Sequence, residues 1–107
     1  MQKNEERGKD VVDRLVHRLT LQLYRIGCNE RNFYLMSKLP LTAYEVEREL
    51  KLSPMPTNRR INELIKSGLV SRKKAGEKIK LTYLGKSFIS QINETKKDVI
   101  SEMSQLI

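Results

Sequence analysis

The sequence is poor in the residues that carry covalent and metal chemistry. It has one cysteine, Cys28, and one histidine, His17. A single cysteine excludes an internal disulfide, and together with His17 it offers no metal-ligand spacing. No glycine-rich phosphate loop and no nucleophile–base pair can be assembled. His17 falls beside Arg14 and Arg18 on a predicted helix, where a surface role is expected. Glu45, Glu47 and Glu49 share a segment with Arg48 and Lys51 and read as a solvated face. An enzyme is therefore not expected, and no cofactor or metal is implied. No apolar run approaches the length of a membrane span. The opening residues MQKNEERGKD have no apolar stretch behind their charges and do not read as a signal peptide. A soluble, cytoplasmic, nucleoid-associated protein without membrane contact is the expectation.

Acidic residues are also in short supply: 13 Asp and Glu face 21 Lys and Arg in 107 residues, a net charge of +8. The excess is localised. Between Ser53 and Leu81 eight basic residues meet only Glu63 and Glu77. A focused basic region implies a polyanionic partner.

What is present is mainly helical periodicity. A solvated, flexible tail is expected over 1–8, followed by one domain over 9–107. Val12, Leu15, Val16, Leu19, Leu23 and Ile26 predict a helix over 9–27 that Gly27 stops. A shorter helix is predicted over Glu30 to Lys38, with Phe33, Leu35, Met36 and Leu39 as its apolar surface, ending at Pro40. Thr42 and Glu45 have capping-box spacing, and Leu41 and Val46 occupy the positions of a hydrophobic staple. Ser53 is placed to cap the next helix, whose first turn tolerates Pro54 and Pro56. Ile61, Leu64 and Ile65 form its inward stripe. Gly68 ends it in a left-handed turn, with Leu69 folding back on Leu64. Two helices joined this tightly have helix-turn-helix spacing.

Beyond Gly68, two strands are predicted, Leu69 to Lys74 and Lys78 to Leu81, around a turn at Ala75-Gly76-Glu77. Thr82 caps a last helix over 83–107. Within it Ile89, Ile92, Lys96, Val99, Met103 and Leu106 fall on successive a and d positions, with one lysine intruding. The predicted fold class is mainly α with a small β-hairpin: a winged helix-turn-helix core over 30–85 flanked by two dimerisation helices.

Three pieces, LTAYEVERELKLS, TNRRINELIKSGLV and LTYLG, carry a resemblance. Glu30 to Gly85 resembles the DNA-binding core of MarR-, ArsR- and PadR-like transcriptional regulators. Small archaeal regulators and chromatin proteins of the same fold suit the short wing at least as well, since its tip lacks the usual arginine and aspartate. The resemblance implies that the helix containing Asn58 and Arg59 enters the major groove, with Pro56, Asn58 and Arg59 at the end aimed at base edges. It also implies that the long flanking helices dimerise.

Side-chain chemistry divides the candidates. Arginine suits guanine and asparagine suits adenine, so Pro56, Asn58, Arg59 and Asn62 are the candidates for base contacts. Thr42, Tyr44, Ser53, Thr57, Arg60, Lys66, Arg72, Lys73, Lys74, Lys78 and Lys80 are the candidates for phosphate contacts. For Thr42 and Ser53 helix capping is an equally good role. The flanking helices carry more apolar surface than one small core covers, which predicts a homodimer through Val12, Leu15, Leu19, Leu23, Ile92, Val99, Met103 and Leu106. Three functions remain open at this point: a sequence-specific regulator, an architectural chromatin or plasmid-maintenance protein, and a protein-interaction module. No small-molecule effector can be inferred.

Overall fold

The computed structural model describes residues 2–106; Met1 and Ile107, the outermost residues of the expected tail and last helix, lie outside them. The elements run α1 (Gln2–Gly27), α2 (Glu30–Lys38), α3 (Ala43–Leu50), α4 (Pro54–Lys66), β1 (Val70–Ser71), β2 (Lys80–Leu81) and α5 (Tyr83–Leu106). None of these helices is long and apolar enough to cross a membrane. Helix α1 begins at Gln2, where a tail was expected. Apolar periodicity marks only part of a helix, and good helix formers such as Gln, Lys, Glu and Arg can extend it.

The junctions follow local chemistry. At α3 the capping box closes in both directions: the Glu45 amide donates to Thr42 Oγ1 at 3.2 Å, and the Thr42 amide donates to Glu45 Oε1 at 3.2 Å. These bonds hold the Glu45 carboxyl below its usual range, chiefly through the Thr42 amide, with a smaller contribution from the nearby Lys78 cation. Helix α3 ends on Lys51 in the left-handed region, φ 54° and ψ 44°. Leu52 and Ser53 then lead to α4. Ser53 stands at its N-cap but makes no side-chain capping bond, contrary to expectation. Pro56 removes one of the two amides such a cap would serve, leaving that of Met55, and the Thr57 amide donates to the Ser53 carbonyl at 3.2 Å. At the far end Gly68 has φ 85°. The Leu69 amide reaches the Leu64 carbonyl at 3.3 Å and the Gly68 amide that of Ile65 at 3.0 Å, a complete Schellman motif.

The hairpin is shorter than expected. Val70 pairs with Leu81 and Ser71 with Lys80, and no further ladder forms. Continuing the register would set Lys73 opposite Lys78, a like-charge pair that weakens a sheet. Ile79 instead bridges to Leu41, which precedes α3, through two backbone bonds of 3.2 and 2.7 Å. The tip turns where the Glu77 amide meets the Lys74 carbonyl at 3.2 Å, with Gly76 at φ 90° in the position that requires a left-handed residue.

Thr82 fastens the hairpin to α5. Its hydroxyl donates to the Gly68 carbonyl at 2.6 Å and accepts from the Gly85 amide at 3.0 Å, and its own amide bonds Leu69. Around these joints Leu35, Met36, Val46, Ile61, Leu64, Leu69, Val70, Ile79 and Phe88 form one buried cluster, closed by Ile26. Gly27 is the last residue of α1 and has no positive φ; the Phe88 ring lies directly against it. The α3–turn–α4 unit and the hairpin make a winged helix-turn-helix.

Candidate nucleic-acid interface

Helix α4 turns Thr57, Ile61 and Leu64 into the core. The 3.6-residue period then sends Met55, Arg59, Asn62 and Lys66 along the opposite ridge, and all four are exposed. Pro56, Asn58 and Glu63 are exposed on its flanks. All four candidates for base contacts are thus exposed.

Two of the candidates for phosphate contacts on this helix are not free. Thr57 is fully buried, and its hydroxyl donates to the Ser53 carbonyl at 2.9 Å. It lies four residues before Ile61, so the core-facing stripe includes it. Arg60 reaches across to the α1–α2 junction. Its guanidinium donates to Asn32 Oδ1 at 2.6 Å and Asn29 Oδ1 at 3.1 Å. Asn32 is 2% exposed and donates in turn to the Ile26 carbonyl at 2.9 Å. Asn29 also caps α2, accepting from the Asn32 amide. Arg60 is therefore a tie between α4 and the helices behind it. Its Nε is buried without a hydrogen-bond partner, and Arg60 lines a cleft of about 390 Å³ together with Arg25, Pro56, Arg59 and Glu63.

The remaining basic candidates, Lys66 and those of the wing, form no ion pair among the described residues. Among the described residues the one ion pair joins Lys97 to Glu94 at 3.3 Å. Lys73, Lys74, Lys78 and Lys80 are exposed on the wing and its tip, while Arg72 is half-buried. At the start of α3, Thr42 is held in its capping box, whereas Tyr44 is 65% exposed beside the Arg48 guanidinium, 5.8 Å from its ring centre. Ser53 is exposed.

The flanking helices leave the core as bare arms. Every described residue of α1 from Arg7 to Gln22, and of α5 from Asn93 to Leu106, is exposed. Val12, Leu15, Leu19, Val99, Met103 and Leu106 each show more than half of their surface. Leu23 and Ile92 differ: both are half-buried against the chain's own core. The arms meet near their roots, where Tyr24 packs edge-on against Phe88 at 5.2 Å. Lys96, which interrupts the apolar stripe of α5, lies 4.1 Å from the ring centre of Phe33 and is accommodated within its own chain. Between α1 and α4 a second cleft of about 700 Å³ is lined by Val16, Leu19, Leu23, Lys66 and Leu84.

No family model and no curated protein matches the chain. Solved structures do. The RV1404 protein of Mycobacterium tuberculosis superposes with a TM-score of 0.62 over 98% of this chain and 80% of its own, at 14% sequence identity. A MarR family protein from Bacillus stearothermophilus gives 0.58 over 96% of this chain and 81% of its own, at 16% identity. At such identities the likeness is one of fold: a MarR-like winged helix-turn-helix with a long helix on either side.

Proposed function

We propose that the protein is a dimeric transcriptional regulator that binds double-stranded DNA, with α4 in the major groove and the wing on the phosphate backbone or in the minor groove. The observation that carries this reading is the unpaired charge of the helix-turn-helix and wing. Arg59, Lys66, Arg72, Lys73, Lys74, Lys78 and Lys80 have no ion-pair partner among the described residues. Such a cluster repels itself and is relieved by a polyanion. Asn58, Arg59 and Asn62 are the base-reading side chains, with Pro56 beside them. Lys66 and the basic residues of the wing, together with Tyr44, Ser53 and Thr42, contact phosphates. Thr57 and Arg60 are withdrawn from that set by their burial and bonding.

The arms supply the dimer. Two exposed apolar stripes on separate helices exceed the surface that a lone soluble chain leaves bare, and a second copy would cover both. A two-fold axis between copies matches paired half-sites on DNA.

The test is a salt titration of binding to the DNA upstream of the coding region, with a scrambled duplex alongside. A dedicated regulator prefers its own site by roughly a thousandfold, and the preference persists as salt rises. Equal affinity for both duplexes, lost steeply with salt, would replace this reading with an architectural one. Absence of binding at low salt would overturn DNA binding altogether and leave a protein-interaction module.

A further inference from the structure

We infer that Met55 is a base-reading residue whose side chain packs against the C5 methyl group of a thymine; this rests on the DNA-binding reading above. Between Thr42 and Leu81 the large apolar side chains left exposed are Tyr44 and Met55, and Tyr44 has the Arg48 guanidinium beside it. Met55 is 70% exposed and stands on the ridge of Arg59, Asn62 and Lys66, opposite the buried Thr57, Ile61 and Leu64. A ridge that enters the major groove carries Met55 with it.

Two properties of this end of α4 decide what Met55 meets there. The first turn is poorly equipped for a phosphate. Pro54 and Pro56 have no amide hydrogen and the Thr57 amide is bonded to Ser53, so the Met55 amide is the one free donor. The side chain itself is a thioether, which gains nothing from a phosphate and would strip water from it. Among the groups that base pairs display in the major groove, the thymine methyl is the apolar one. Met55 and that methyl therefore bury each other, while Arg59 and Asn62 hydrogen-bond neighbouring bases. An unbranched methionine can adjust to the depth at which the methyl lies.

The experiment begins with selection of preferred duplexes from a random library by the full chain. Each thymine of the selected half-site is then replaced singly by deoxyuridine, which removes the methyl and leaves every hydrogen-bonding group. The wild-type chain should lose about fourfold in affinity at one position per half-site, the worth of one buried methyl. Met55→Ala should bind more weakly and be indifferent to that replacement, whereas Met55→Leu should keep the sensitivity. Because Met55 is exposed, both variants should match the wild type in circular dichroism and melting. A wild-type chain indifferent to uracil at every position, or a Met55→Ala chain that keeps the fourfold loss, overturns the inference while leaving the DNA-binding reading standing. Selection that enriches no sequence overturns the inference together with the sequence-specific reading, and leaves an architectural one.

Discussion

Gly85 passes so close beneath the carbonyl of Leu69 that no methyl group fits between them. The obstacle is backbone, and that carbonyl is itself held by the Thr82 amide at 3.1 Å. Gly85→Ala should destabilise the fold by about 1–3 kcal/mol or more, read from the urea midpoint. Gly27→Ala should cost less. The atoms it meets belong to side chains, the edge of the Phe88 ring and Leu69 Cδ1, which can repack in part where a backbone carbonyl cannot. Equal losses in the two variants would contradict this ranking.

Lys51 holds a left-handed conformation at the end of α3 that a side chain resists. Lys51→Gly should raise stability by about 0.5–1 kcal/mol, the strain relieved less the added freedom of the unfolded chain. Lys51→Ala removes the same charge but keeps the strain. It should melt at or below the wild-type temperature, which separates backbone from electrostatics.

The Arg60 tie and the wing lysines should respond in opposite ways. Arg60→Ala leaves Asn32 Oδ1 buried without its donor and should cost about 1–3 kcal/mol of stability. The salt dependence of DNA binding should keep its slope. Lys74→Ala should leave melting unchanged and lower that slope by about one. If Arg60→Ala also lowered the slope, its guanidinium would have to reach phosphate in the complex.

The capping box of α3 should be sensitive to acid. The Glu45 carboxyl titrates below its ordinary value of 4.5, so its contribution is present above that pH and disappears as pH falls through the lowered value. Glu45→Gln keeps a side chain that can accept the Thr42 amide without titrating. Between about pH 6 and pH 3 the wild type should therefore lose more stability than Glu45→Gln. Parallel pH profiles would remove Glu45 from the acid response.

A charge on either arm should disrupt pairing of chains. Leu15→Glu and Met103→Glu should shift sedimentation from the mass of two chains to that of one. The core, which neither residue touches, should keep its helical signal. Unchanged sedimentation in both would refute association through these arms.

Much of this architecture was legible because its determinants are local. Thr42 and Glu45 specify their box within four residues, and Gly68 with Leu64 and Leu69 specifies its turn within six. Thr57 was also legible, since it stands four and seven residues before Ile61 and Leu64, but its polar side chain concealed its place in the buried stripe. Arg60 was not. Its partners Asn29 and Asn32 lie in another helix pair, and no spacing in the sequence joins them. The wing was overextended because alternation reveals which residues favour a strand, not that Leu41 would take Ile79 as a partner. For Met55 the signal was present as a methionine in an otherwise polar ridge, but it gains meaning only once its exposure is known.

The bare arms spread the chain over 55 × 47 × 21 Å, with a radius of gyration of 17.6 Å against the roughly 13 Å of a compact chain of this length. Backbone hydrogen bonds in those outer turns are guarded only by the helix itself, and a helix without tertiary cover opens readily. Amide hydrogens from Asp10 to Thr20 and from Asn93 to Leu106 should thus exchange with solvent far sooner than those around Ile61 and Leu69. The contrast should fade as protein concentration rises, which would make deuterium uptake along the arms a gauge of how many chains have found a second copy.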